Sequence, residues 1–216
     1  MPKEYRFLIK SKFEEMKDMG ILAKQIQLGG NIFHYKESGL PSAPPIVVLH
    51  SLGASSEAWN QVGTVLGENY RFFALDQRGH GDSARTATYS FEEMCEDLLH
   101  FVNALEIERF ILIGHSMGGS VSYLFSQQYS SRLEKLIIID TPPPFPDKLI
   151  EIPSEPDQPL PFDWKVVQSI LKQLNEPKPE WWDNLPRIST PTLIIGGGSS
   201  NISQEKLLEV SKRIPH

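Results

Sequence analysis

The sequence is poor in several things that would have marked out a function. It holds one cysteine, Cys95, in 216 residues. A single thiol excludes an internal disulfide and a cysteine-built metal site. Cys95 falls on the apolar side of a helical pattern, where plain core packing is expected, and such sparing use of cysteine fits a reducing cytoplasm. No segment is long and apolar enough to cross a bilayer, so no membrane partner is expected. The stretch 1–20 lacks the apolar centre of a secretory signal, since Lys3, Arg6, Lys10, Lys12 and Lys17 are mixed with Glu4, Glu14, Glu15 and Asp18. Basic charge is scarce too: Lys and Arg number 21 against 27 Asp and Glu, for a net charge of −6. Without a basic face to meet phosphates, a general nucleic-acid binder is excluded. No phosphate loop, metal cluster or dinucleotide fingerprint occurs. Gly196-Gly197-Gly198 has neither the spacing nor the context for phosphate. No cofactor and no metal are therefore expected.

What is present is patterning. The chain is long enough for one α/β domain with a substantial core. Tyr5, Leu8, Ile9, Phe13 and Met16 recur at near-helical spacing, which predicts an amphipathic helix over 4–19 within an N-terminal extension, 1–24. Apolar stretches at 21–28 and 31–36 flank Gly29-Gly30, the pattern of an antiparallel hairpin. From Pro45 onward, Ile46-Val47-Val48-Leu49 forms a continuous apolar run, as in a strand buried on both faces. A helix is predicted at 56–66 and a strand at 71–75. Ser90-Phe91-Glu92-Glu93 reads as a capping box. It opens a helix with Phe91, Met94, Cys95, Leu98, Leu99, Val102 and Leu105 on one face. A strand at 110–113, a helix at 117–129 and a strand at 136–139 follow. Strands alternating with helices in this way predict a mostly parallel sheet with an N-terminal antiparallel hairpin and helices on both faces. Ligands of such sheets bind beyond the carboxyl ends of the strands, where His50, Asp76, Ser116 and Asp140 all fall.

The region 141–190 breaks the alternation. It holds most of the 17 prolines, with helical patches at 163–174 and 179–185. Its aromatics are Phe145, Phe162, Trp164, Trp181 and Trp182. It reads as a helical lid inserted before the penultimate strand, which resumes at 191–195. A last helix is predicted at 204–214.

The chemistry centres on Gly114-His115-Ser116-Met117-Gly118, a G-x-S-x-G between a predicted strand and a predicted helix. On a sharp strand-to-helix turn the serine backbone is strained, and a side chain at either glycine would strike the adjoining strand or helix. The turn exposes the Ser116 hydroxyl and aims free N–H groups at whatever binds there. Ser116 is thus the candidate nucleophile. Oxyanion donors are expected from the N–H of Met117 and of Leu52, in the loop His50-Ser51-Leu52-Gly53.

These motifs, in order, resemble the α/β-hydrolase superfamily in its lid-bearing, esterase-like branch. His50-Ser51-Leu52-Gly53 resembles its oxyanion motif, with Ser51 in place of the usual glycine. Asp76-Gln77-Arg78-Gly79-His80-Gly81-Asp82-Ser83 resembles its D-x-R-G-x-G-x-S loop. Gly114 to Gly119 matches its elbow. The resemblance runs from about residue 25 to the C-terminus and implies one hydrolase domain over 25–216. It implies that His50 and the loop 76–83 are mainly structural. A serine at the elbow argues against the branches that place aspartate there. Most members carry the catalytic acid just after the strand equivalent to 192–195, where this sequence has no carboxylate. A branch carries it at the end of the preceding strand, which selects Asp140. Ser51, His115 and Trp164 are the expected substrate contacts.

The resemblance also implies a catalytic histidine in a loop beyond one further strand. None of the six histidines fits, and the sequence stops at Ile214-Pro215-His216. The expectation is a C-terminally shortened chain lacking the last strand, the last helix and the histidine loop. The sequence thus points to a serine hydrolase of small ester, thioester or amide substrates, impaired in this chain. A non-catalytic binding or signalling module is the alternative. So is a cofactor-free haloperoxidase-like or C–C lyase-like enzyme on the same fold. No partner beyond a small-molecule substrate is implied.

Overall fold

The computed structural model describes residues 20–216; the predicted helix at 4–19 lies outside them. Among the described residues, seven strands form one sheet. They are β1 (Leu22–Leu28), β2 (Asn31–Ser38), β3 (Pro45–Leu49), β4 (Arg71–Leu75), β5 (Phe110–His115), β6 (Leu133–Ile139) and β7 (Thr192–Ile195). Their spatial order is β1-β2-β4-β3-β5-β6-β7. β1 and β2 pair antiparallel, as do β2 and β4, and every other pairing is parallel. β1 starts at Leu22 and pairs with β2 along its whole length, so it runs across the expected boundary at 24/25. The hairpin between them turns on Gly29 and Gly30, both at positive φ (54° and 86°), as a two-residue turn of matching twist requires.

The helices are α1 (Asn60–Leu66), α2 (Phe91–Ala104), α3 (Met117–Tyr129), α4 (Trp164–Asn175), α5 (Glu180–Asp183) and α6 (Gln204–Arg213). The single helix expected at 56–66 is split. A 3-10 turn, Ser56–Trp59, precedes α1, and the Ser56 N–H donates to the Asp76 carboxylate (2.6 Å). The serine half of the capping box is present: the Ser90 hydroxyl accepts from Glu93 N–H (3.1 Å), while the Glu93 carboxylate accepts from that hydroxyl (3.0 Å) rather than from the Ser90 N–H.

Alternation along the strands sorts the core into two faces. Phe33, Val47, Leu49, Phe73, Leu112 and Leu136 join the large cluster with the buried sides of α2 and α3. Ile46, Val48, Phe72 and Ile113 face the other way, under Trp59 and Leu66. That second cover ends before β7. Leu193 and Ile195, in register with Ile137 and Ile139, are 53% and 43% exposed. On the outer edge of β7, the Thr192 N–H donates to the His216 carbonyl (3.0 Å).

Between β6 and β7 the chain makes the expected excursion, and its helices join the main core rather than standing off it. Val166, Val167, Ile170, Trp181, Leu185 and Ile188 are all buried there. The start of α4 is tied to the segment after β4: Asp163 N–H donates to the Gly79 carbonyl (2.7 Å) and Tyr89 Oη to the Asp163 carboxylate (2.7 Å).

Candidate active site

β5 delivers Gly114 and His115, and α3 begins at Met117. Ser116 joins them at φ 51°, ψ −115°, a region that a side-chain-bearing residue occupies only when its surroundings enforce it. Backbone bonds enforce it here. Ser116 N–H donates to the Ile139 carbonyl (3.1 Å), and the Ser116 carbonyl accepts from Gly119 N–H (2.8 Å) and Ser120 N–H (3.1 Å). The close approach explains the glycines. A Cβ on Gly118 would stand 2.5 Å from the Leu49 carbonyl oxygen. One on Gly114 would collide with the Gly118 carbonyl and the Ser122 hydroxyl.

The first N–H groups of a helix lack intrahelical acceptors. In α3, Gly118 N–H goes to the His50 carbonyl (3.2 Å), and Gly119 and Ser120 go to Ser116. Met117 alone of these is left without an acceptor among the described residues. Its N–H is a preorganised donor beside the Ser116 hydroxyl.

The loop after β3 is held against this turn by His50. The His50 carbonyl accepts from Gly118 N–H and from the Gln77 side-chain amide (2.8 Å). The His50 ring fixes its own tautomer: Nδ1–H donates to the Ser51 carbonyl (2.9 Å) and Nε2 accepts from Gln77 N–H (3.0 Å). Burial lowers its pKa to about 4, so it is a neutral strut. His80 stands against it, with ring centroids 4.9 Å apart. Burial, then its neighbour His50, lowers the His80 pKa to about 3.

The loop 76–83 is held by hydrogen bonds. Asp76 accepts from Ser56 N–H and from Asp82 N–H (3.3 Å), and Ser83 Oγ donates to the Asp76 carbonyl (2.7 Å). Arg78 grips Asp97 with two bonds of 2.6 and 2.8 Å, both side chains nearly buried.

Ser116, Met117 and Leu52 open on one cavity of about 280 Å³. Its remaining wall comes largely from the β6–β7 excursion: Pro142, Pro143, Pro144, Phe145 and Ile150, with Ile170 and Leu174 of α4. Asn201, Ile202 and Ser203, before α6, also line it, as do Phe91, Ser120 and the charged residues Asp147 and Lys148. No histidine lies on its wall.

The three expected substrate contacts are not there. Ser51 and His115 line a separate groove of about 220 Å³ with His50, Trp59 and Ile139; adjacent residues at a strand end point to opposite faces, so His115 turns away as Ser116 turns in. Trp164 stacks near Phe162, at 6.5 Å between ring centroids. Ile170 and Leu174 lie one turn apart on the cavity side of α4, whereas a residue six positions before Ile170 points well round the helix from it. Of the excursion's aromatics only Phe145 reaches the cavity. The proline and aromatic density marked the region; the residue-level contacts depend on how α4 and the triproline strap pack.

Asp140 ends β6 at φ 55°. Its carboxylate accepts from Gly197 N–H (2.9 Å) and its own N–H donates to the Ile195 carbonyl (2.7 Å). It sits one residue before the cavity-lining Thr141 but is not itself on the wall. Cys95 is buried in the core, and burial raises its thiol pKa to about 12. Among the described residues, no helix is long and apolar enough to cross a membrane.

The chain is similar to several known proteins. A serine hydrolase-like protein of Danio rerio is 36% identical over 100 residues, 45% of this chain and 31% of that protein. Proteins of Mycobacterium tuberculosis and Mycobacterium bovis are 33% identical over 99 residues, and that match spans 29% of their length. An sn-1-specific diacylglycerol lipase of Danio rerio is 26% identical over 223 aligned positions, 82% of this chain and 70% of that one. The thioesterase domain from the curacin biosynthetic pathway superposes with a TM-score of 0.79 at 20% identity, covering 90% of each chain. The family described as alpha/beta hydrolase fold matches residues 44–170, and with the elbow, the sheet order and the loop 76–83 in place, the chain belongs to that family.

Proposed function

We propose that the protein is a serine hydrolase that transfers an acyl group from a small ester, thioester or amide to Ser116 and then to water. The observation that carries this reading is the pairing of a positive-φ Ser116 with the unaccepted Met117 N–H on one cavity. In the first step the Ser116 oxygen attacks the acyl carbon, its proton passes to a base, and the carbonyl oxygen takes the negative charge. Met117 N–H and Leu52 N–H are the donors assigned to that oxyanion. Collapse expels the leaving group, and water then repeats the attack on the acyl-serine. Asp140 is assigned the role of holding and balancing the base. The relatives' names, a serine hydrolase-like protein, a lipase and a thioesterase domain, are of this reaction class.

The base is the incomplete part. His50 and His80 are buried and committed to the loops, and none of the other histidines lies on the cavity wall. Losing a base from such a constellation costs orders of magnitude in rate while the oxyanion donors still act. Slow, Ser116-dependent acyl transfer is therefore expected. Incubation with a fluorophosphonate and peptide mass spectrometry should place the label on Ser116, and a Ser116→Ala variant should stay unlabelled. Label elsewhere, or equal labelling of the variant, sinks the reading.

The histidine-free wall favours a second reading, a module that binds a ligand in the same cavity without turning it over. A small molecule that binds stoichiometrically and is recovered unchanged, with no label on Ser116, would select it.

A further inference from the structure

One wall of the cavity is anchored from behind by the last helix. α6 carries two stripes at helical spacing. Leu207, Val210 and, just past the helix end, Ile214 are buried. Lys206, Glu209 and Arg213 form the other stripe, in which the Glu209 carboxylate accepts from Lys206 Nζ (2.9 Å) and from the Arg213 guanidinium (2.8 Å). The two cations of that stripe stand over aromatic rings. Lys206 Nζ is 5.3 Å from the Phe145 ring centroid and 5.4 Å from that of Trp182, and the Arg213 guanidinium is 5.3 Å from the Trp182 ring. The rings of Phe145 and Trp182 meet edge to face, with centroids 6.2 Å apart. Trp182 Nε1–H donates to the Pro144 carbonyl (3.0 Å), so the same indole fixes the backbone next to Phe145. Pro144 and Phe145 are cavity wall, whereas Trp182 and Lys206 stand outside it. A cation is drawn to the negative face of an aromatic ring, and here one ammonium serves two rings from behind the wall.

We propose that Lys206 is a positioning residue which, with Trp182, holds Phe145 as a fixed wall and so limits the width of what reaches Ser116. This rests on the reading of the cavity as the place where a ligand meets Ser116, but it concerns access and needs no base. Without the Lys206 charge, the Phe145 ring keeps its edge contact with Trp182 and loses the attraction that holds it from behind. A wide molecule enters only while that ring is displaced, so its rate of entry follows the population of the displaced state. Loss of one cation–π contact raises that population about fivefold. A narrow molecule passes the ring in either state, and its rate is unchanged.

Maleimide labelling of the full chain carrying Ser116→Cys tests the assignment, because a thiol reacts with maleimides at mildly alkaline pH with no base beside it. Cys95 is buried, and the chain without Ser116→Cys is its blank. N-methylmaleimide is the narrow reagent and N-(1-pyrenyl)maleimide the wide one, and the narrow one should react faster. Adding Lys206→Gln should raise the rate of the wide reagent about fivefold and leave the narrow one unchanged. Lys206→Arg, which keeps the cation, should behave as Lys206. Phe145→Ala should speed the wide reagent at least as much, and Lys206→Gln added to Phe145→Ala should change nothing more, since both act through one ring. A wide-to-narrow ratio that Lys206→Gln leaves unchanged overturns the proposal. So does an equal rise for both reagents, which is general loosening, or a further rise when Lys206→Gln joins Phe145→Ala. Failure of both reagents to react at position 116 overturns it too, because something other than Phe145 then closes the cavity. No serine chemistry is read here, so the fluorophosphonate labelling of Ser116 stands or falls as a separate result.

Discussion

The serine side and the acid side of the cavity are held by different means. On the serine side the parts are backbone. Ser116 is fixed by bonds to Ile139, Gly119 and Ser120, and the loop before Leu52 is tied to it through the His50 carbonyl. On the acid side, Asp140 reaches one N–H of a glycine loop, and the wall nearby is made of side chains from the β6–β7 excursion, prolines, Phe145 and aliphatic residues with Asp147 and Lys148. Backbone bonds at a strand end survive a change of side chain. Walls made of side chains can be re-cut for a new substrate without moving the nucleophile. The backbone-held nucleophile and the side-chain-built pocket are thus separable parts of one molecule.

That contrast can be broken most forcefully by acid. His50 and His80 have folded pKa values of about 4 and about 3, below the value near 6.5 of an unfolded histidine. The unfolded chain therefore binds more protons in between. Their contribution is fully present above pH 6.5 and is lost as pH falls from there toward 4. For the fully buried His50 alone this is roughly 3 kcal/mol. Urea midpoints measured across that range should fall steeply, and the serine side should lose its Gln77-to-His50 bond with them. A midpoint that is flat from pH 7 to about 4.5 contradicts the role given to the pair.

Gly118→Ala comes next. Its Cβ would stand 2.5 Å from the Leu49 carbonyl, a backbone atom that cannot swing aside. Overpacking of this kind costs about 2–3 kcal/mol, and labelling of Ser116 should disappear together with the shift in urea midpoint. Asp140→Ala should do least. It leaves the half-buried Gly197 N–H without its acceptor, at about 1 kcal/mol. In this chain it should leave the rate of Ser116 labelling unchanged, since no histidine stands on the cavity for Asp140 to hold. A large loss of labelling in Asp140→Ala would mean that the acid side acts on Ser116 directly.

The same division explains what could be read from the sequence. The elbow, the hairpin on Gly29-Gly30, the capping box at Ser90 and the alternating sheet are local patterns, and each was legible from a few neighbouring residues. The identity of the cavity wall was not. Trp164 looked like a ligand contact by type, but the turn of α4 gives that place to Ile170 and Leu174. His115 and Ser51 looked close by sequence, but strand alternation and the turn of the loop put them in the neighbouring groove. Ile150 lines the cavity and its backbone bonds to Asn175, twenty-five residues away, which no local pattern announces.

The claim on which the rest depends is that Ser116 is a preorganised nucleophile waiting for a base. The direct measurement is the rate of fluorophosphonate labelling at Ser116 as imidazole is added, with Ser116→Ala as the blank. Labelling that is slow without imidazole and rises with its concentration, on Ser116 alone, is the expected result. Labelling that imidazole leaves unchanged at zero, in a chain that remains folded, would contradict it.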